Sequence, residues 1–147
     1  MTLELAASLQ GRLQDWACAG YPHECCGLLL GRADDGVVRV EDAVQARNAN
    51  AERQRDRYEI DPEDFLRADA RSRERGLDIV GVWHTHPDHP ARPSATDRER
   101  AWAGWSYLIL SVSGTGVATM RSWRLVGSEF VEEAVCPAPA SAPEVSP

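Results

Sequence analysis

Apolar residues near the start of the chain recur at helical spacing, with Leu5, Leu9, Leu13 and Trp16 on one face. Thr2 as N-cap, and Gly20 and Pro22 as stop signals, complete the pattern of a first helix. Cys26 to Gly31 is a short apolar run and Val37 to Val44 alternates in part; the Asp34-Asp35-Gly36 turn between them predicts a hairpin. Residues 45–57 are polar, arginine-rich and without period, which predicts an exposed loop, and Tyr58-Glu59-Ile60 reads as a short strand. A second helix is capped by Asp61, has Pro62 at its first position and stops at Gly76. Its solvated face carries Glu63 with Arg67 and Asp69 with Arg73, four residues apart.

Leu77 to Trp83 predicts a buried strand whose alternation continues outward, placing Val80, Val82, His84 and His86 on one face. A proline-rich loop follows from Pro87 to Pro93, and Ser94 begins a helix expected to reach about Trp105. Ser106 to Val112, Val117 to Leu125 and Glu129 to Val135 read as three further strands, with turns at Ser113-Gly114-Thr115-Gly116 and Gly127. The expectation is one domain over residues 1–135 and a Pro/Ala/Ser-rich disordered tail over 136–147. Helices interleave with adjacent hairpins, so the fold class is α+β with a mixed sheet.

The chain has 147 residues, 43% of them hydrophobic, enough for one sizeable core. Sixteen basic against 23 acidic residues give a net charge of −7, which disfavours nucleic acid and anionic membranes as partners. All the basic residues are arginine. Composition bias accounts for this; loss of conjugation acceptors is the sharper alternative, and only the absence of lysine speaks for it. There is no signal-peptide pattern after Met1 and no apolar run of membrane-spanning length, so the expected location is the cytoplasm. Cys18, Cys25, Cys26 and Cys136 form no pair of C-x-x-C motifs. Cys25 and Cys26 read as small buried residues on opposite faces of a strand, with a redox or auxiliary metal role as the alternative.

The chemistry concentrates in His84 to Asp97: His-x-His, seven residues, Ser94, two residues, Asp97. Taken singly, Ser94-x-x-Asp97 is close to a helix capping box and the histidines are polar strand-end residues. Together, a strand end delivering two imidazoles and a helix start delivering a carboxylate converge on one point, and these are ligands of a catalytic metal ion with an open position for water. His89 and His23 lie off this spacing and are read as non-ligands. No glutamate follows in the H-E-x-x-H manner, so a general base must come from elsewhere. Glu24, leading into the apolar run, is the candidate; an exposed strand-end residue is the alternative reading of the same position.

This pattern resembles the JAMM, or MPN-plus, family of zinc metalloproteases. His84-x-His86-Pro87, Ser94 and Asp97 match its signature without a gap. Pro22-x-Glu24-x-Cys26-Gly27-Leu28-Leu29-x-Gly31 looks like its upstream element, and Tyr58-Glu59-Ile60-Asp61-Pro62 is similar to bacterial members. The resemblance covers residues 3–135. It implies zinc (Zn2+) on His84, His86 and Asp97, Glu24 as general base, and Ser94 as a hydrogen-bond donor to the oxyanion or to the attacking water. It implies a deaminase-like mixed central β-sheet flanked by helices. Small bacterial members resemble peptidases that cleave after the C-terminal Gly-Gly of ubiquitin-like sulfur-carrier proteins, so such a carrier is the expected partner. The arginine-rich loop from Arg47 to Arg57 is either a carrier contact or a plain solvated loop. A deubiquitinase-like isopeptidase, a non-catalytic MPN scaffold and a RadC-like nucleic-acid role are the alternatives. The last conflicts with the charge and leaves no room for a DNA-binding domain. Oligomeric state is not legible in the sequence.

Overall fold

The computed structural model describes residues 1–53 and 57–138. Its first element is a strand, β1 (Thr2–Leu5), and α1 (Ala7–Gly20) begins only after Ala6, which provides no side-chain cap. This corrects the sequence expectation that Thr2 caps a helix containing Leu5. Four residues are too few for period to discriminate helix from strand. Pairing decides: β1 lies parallel to two strands at once, β3 (Val37–Ala46), with Leu3 opposite Val38, and β7 (Glu129–Cys136), with Leu3 opposite Val135.

The predicted hairpin is present as β2 (Cys26–Asp34) and β3, and Asp35 and Gly36 at its tip both have positive φ, 50° and 76°. That is the primed turn geometry that matches strand twist. Strand β3 takes in Gln45 and Ala46, so the following loop is shorter than expected. Tyr58-Glu59-Ile60 is not a strand; Ile60 alone makes an isolated bridge to Asn48. Residues 54–56 of the arginine-rich loop, and residues 139–147 of the expected tail, lie outside the described residues.

Helix α2 (Pro62–Glu74) has its predicted cap, Asp61 accepting from the backbone of Glu63 and Asp64, and both predicted surface pairs. Strand β4 (Asp78–Pro87) runs on through both histidines. A bulge where Leu29 faces Gly81 but Leu30 faces Ile79 turns Val80 to the other side. Val80 therefore packs with Leu29 and Trp83, while Val82 packs with Leu28 and Leu30, so Val80 does not share the histidine face as its spacing predicted. Helix α3 (Ala95–Arg100) stops short of Trp105. There the Trp102 amide donates to the Tyr107 hydroxyl at 2.6 Å and Gly104 turns the chain at φ 88°. Strands β5 (Ser106–Ser113), β6 (Gly116–Val126) and β7 follow as expected.

The strand order is β1-β3-β2-β4-β5-β6-β7, closed where β7 meets β1. The sheet is mixed, as predicted, with β4–β5 and both β1 pairings parallel. It is a closed sheet rather than an open central layer, because β1 bridges its two edges. Arg124 on β6 reinforces the seam through hydrogen bonds to the carbonyls of Thr2 and Gly36. Two apolar clusters fill its opposite faces. One joins Leu9, Leu13 and Ala17 of α1 to Leu29, Trp83, Leu108 and Leu110; the other joins Phe65 and Ala68 of α2 to Leu28, Leu30, Val82 and Tyr107. Asp42 on β3, its side chain 5% exposed, ties both helices to the sheet, meeting Arg12 at 2.7 Å and Arg71 and Arg75 at 2.9 Å. Among the described residues no helix is long and apolar enough to cross a membrane.

Candidate metal centre

The antiparallel register of β2 and β4 sets Cys26 opposite His84, which brings Glu24, just ahead of β2, beside the histidines. Thr85 locks this alignment: its amide donates to the Cys25 carbonyl at 2.9 Å and its hydroxyl accepts from the Cys25 amide at 2.8 Å. Glu24 is buried, 5% exposed, and its Oε1 stands 3.1 Å from His84 Nδ1. The exposed strand-end alternative is therefore incorrect. Asn48 holds the same segment by donating to the Glu24 carbonyl at 3.2 Å.

Ser94 caps α3 by accepting from the Asp97 amide at 3.0 Å, while Asp97 Oδ2 accepts from the Ser94 amide at 2.8 Å. The capping box is thus complete, and it fixes the Asp97 carboxylate in space. Its Oδ2 lies 3.1 Å from His86 Nε2 and its Oδ1 3.8 Å from His84 Nε2. The Ser94 hydroxyl accepts in the cap and keeps its own hydrogen to donate.

The imidazole partners settle which nitrogens carry hydrogen. His86 Nδ1 lies 2.9 Å from the Pro90 carbonyl, and His84 Nδ1 faces the Glu24 carboxylate; both partners can only accept. The Nδ1 atoms therefore donate; in the neutral rings each Nε2 keeps a lone pair facing Asp97, and when the His86 ring is protonated its Nε2 donates to Asp97 instead. His84 Nε2 is buried with no hydrogen-bond partner among the described residues. A lone pair beside a carboxylate at this depth calls for a cation between them. Glu24, His84, His86 and Asp97 each offer a ligand atom, all within 4.8 Å of one another. The donor set, two imidazole nitrogens and carboxylate oxygen, fits a divalent metal ion.

The ionisation balance agrees. Burial disfavours charge on Asp97, but the His86 hydrogen bond, the neighbouring His84 and the Ser94 amide outweigh it and draw its pKa down to about 2. Burial likewise opposes charge on His86, yet its hydrogen bonds to Asp97 and Pro90 raise its pKa above 6.5. The site attracts positive charge, whether proton or metal.

Tyr58 is a member of the site that periodicity did not single out. Its ring stacks on His84 with centroids 4.3 Å apart, and burial pushes its phenol well above 10. A lone aromatic after a polar loop carries no signal for such a contact. His89 and His23 are exposed and stand outside the donor group, as expected. All four cysteines are free; Cys26 is buried, and burial with the nearby Cys25 and Glu24 pushes its thiol up to about 12. A cleft of about 420 Å³ opens onto Glu24, His86, Ser94 and Asp97.

Residues 6–126 match the family described as prokaryotic homologs of the JAB domain. A protein of Haloferax volcanii named desampylase is 39% identical over 138 residues, covering 90% of this chain and 94% of that one. The CysO-cysteine peptidase of Mycobacterium tuberculosis is 28% identical over 134 residues, covering 90% and 89%. The solution structure of a protein from Desulfitobacterium hafniense superposes with a TM-score of 0.82 at 29% identity, over 93% of this chain and 92% of that one.

Proposed function

Because the chain belongs to the prokaryotic JAB-domain family, we propose that it is a zinc-dependent peptidase that hydrolyses the amide bond after the C-terminal Gly-Gly of a ubiquitin-like sulfur-carrier protein. The observation that carries this reading is the pair of imidazole Nε2 atoms turned toward Asp97, with a buried carboxylate, Glu24, beside them and a cleft giving access. The names of the relatives, desampylase and CysO-cysteine peptidase, support a peptidase or isopeptidase acting on a ubiquitin-like partner.

His84, His86 and Asp97 would hold the zinc ion, which when bound would supply Lewis acidity toward a water and a carbonyl oxygen. Glu24 takes the proton of the attacking water and delivers it to the departing nitrogen, so a C–O bond forms as the C–N bond breaks. Ser94 donates its hydroxyl hydrogen to the oxygen on which negative charge develops. Pro90 and Glu24 hold the two imidazoles in the ligating tautomer.

The test is mass spectrometry of a ubiquitin-like carrier bearing a short extension after Gly-Gly, incubated with the purified protein. Release of the extension, abolished by chelator and restored by zinc, is the expected result. Bound zinc with every such carrier left intact means a binding module instead, and cleavage of only lysine-linked conjugates means an isopeptidase.

A further inference from the structure

Glu24 lies two residues before the start of β2, where the ladder to β3 has already ended. The registers still dictate its neighbours. Cys26 faces Ala46 of β3 and His84 of β4. Carried two residues further, the same registers set Asn48 on one side of Glu24 and His86 on the other. At this level the Asn48 side chain supplies the donor that a ladder amide would have given. Its Nδ2 donates to the Glu24 carbonyl at 3.2 Å.

The rest of that amide holds a second segment. Nδ2 also donates to the Arg57 carbonyl at 2.8 Å, and Oδ1 accepts from the Asn50 and Glu59 amides, each at 3.0 Å. Carbonyls only accept and backbone amides only donate, so the partners fix which end of the side chain is oxygen. The Arg57 carbonyl and the Glu59 amide belong to the two peptide groups that flank Tyr58. One side chain thus grips the backbone of Tyr58 from both ends while it holds Glu24. Tyr58 stacks on His84 with centroids 4.3 Å apart, and Glu24 meets Nδ1 of the same ring at 3.1 Å. The face and the edge of the His84 imidazole are both set by groups that Asn48 holds.

Asn48 is itself anchored through its neighbours. The Asp61 amide donates to the Arg47 carbonyl at 3.1 Å, and the Ala49 amide donates to the Glu59 carbonyl at 2.8 Å. The Arg47 amide donates to Asp64 Oδ2, in the first turn of α2, at 2.8 Å. The position therefore joins α2 to the metal centre.

We propose that Asn48 is the positioning residue of this centre, fixing both the Glu24 carboxylate and the Tyr58 ring against His84. It acts through these two groups, holding the carboxylate where it can exchange a proton with the attacking water. Its effect on rate rests on the peptidase reading; its effect on His84 does not.

Asn48→Asp tests this, because it keeps the shape and both accepted hydrogen bonds but turns an acceptor oxygen toward two carbonyls. The first measurement is the imidazole nitrogen shifts of the full chain with zinc added, read by NMR. The His84 Nδ1 signal is expected to move, while His86 Nδ1, bonded to the Pro90 carbonyl, keeps its place. The second is turnover of a Gly-Gly carrier bearing a short extension. Asn48→Asp should lower kcat about ten- to a hundredfold with KM near that of the wild type. In a Glu24→Gln background the same substitution should cost on the order of twofold at most, because the group it positions is already disabled. A residue that only stabilises the fold costs the same factor in both backgrounds. An unmoved His84 signal, or an equal factor in the two backgrounds, overturns the inference and leaves the peptidase reading intact. If Asn48→Asp gives no cooperative melt, Asn48→Ser, shorter and uncharged, carries both measurements with the same expectations. A wild type that cleaves no carrier overturns the peptidase reading, and the imidazole signals then decide the positioning role by themselves.

Discussion

Glu24 Oε1 and His84 Nδ1 lie 3.1 Å apart and buried, although sixty residues separate them along the chain. Strand pairing produces the contact, and its chemistry gives Glu24 two duties, holding the imidazole and moving a proton. Glutamine keeps an oxygen that accepts from Nδ1 but has no basicity. Glu24→Gln is therefore expected to retain zinc at wild-type stoichiometry while kcat falls about 100- to 10,000-fold. Metal analysis and turnover on the same preparation check this, and near-normal turnover would remove Glu24 from the proton path.

Ser94 serves the α3 cap and, on the proposed mechanism, the oxyanion. Ser94→Ala loses both, at about 1 kcal/mol of stability and about 100- to 1,000-fold in kcat. Ser94→Thr keeps a hydroxyl that caps and donates, so it should recover most of each. Denaturant melts beside kcat values separate the two losses. A full kcat in Ser94→Ala, with only the stability loss, would mean that Ser94 is a cap alone.

Metal binding should register without any substrate. Ligand at a hundred times its Kd stabilises the native state by about 2.7 kcal/mol. For a domain of this size that raises Tm by about 5–10 °C. Asp97→Asn, which loses the carboxylate charge facing both imidazoles, should show little of this shift in a thermal melt. An equal zinc-induced shift in that variant would exclude Asp97 as a ligand.

Asp42 predicts a pH dependence of stability far from the metal centre. Burial opposes its charge, but hydrogen bonds from Arg12 and the Ala43 amide, with Arg71 nearby, outweigh it and lower its pKa below 3.8. A depressed carboxylate stabilises the fold above its unfolded pKa, and the contribution disappears as pH falls through the folded value. Asp42→Asn should cost about 1–3 kcal/mol at neutral pH. The gap from wild type should be flat from about pH 5 to 8 and close below about pH 4. Urea titrations across that range measure it, and a gap that persists unchanged in acid would contradict the ion-pair account.

Two glycines should respond in opposite directions to alanine. A Cβ at Gly27 would stand 2.0 Å from the Val44 carbonyl oxygen and 2.3 Å from Trp83 Nε1, the two atoms that hydrogen bond each other at 3.0 Å. Gly27→Ala should destabilise by about 3 kcal/mol. Gly11, within α1, has nothing within 4 Å of the same position, and Gly11→Ala should stabilise by up to about 1 kcal/mol. Thermal or urea melts of both variants decide it.

Much of this was legible in the linear chain because the signals were local. The α2 cap at Asp61, the Asp35-Gly36 turn and the Ser94–Asp97 box each depend on residues within a turn of one another. His84 and His86 share a face because strand period is two, whatever the strand pairs with. Where local pattern misled, a distant partner had intervened. Thr2–Leu5 became a strand because β3 and β7 offered it two edges, and Val80 changed face at a bulge set by β2.

The sequence by itself determined the donor types and their spacing, since His-x-His and Ser-x-x-Asp are local facts of chemistry and period. Only the tertiary structure decided that Glu24 is buried against His84, that Tyr58 covers that ring, and that Pro90 turns the His86 lone pair inward. It also placed four arginines around one cleft in an acidic chain. The physical reason is common to all four. Burial, tautomer and local field depend on atoms brought together across strands and loops, and sequence separation carries no information about which of those atoms meet.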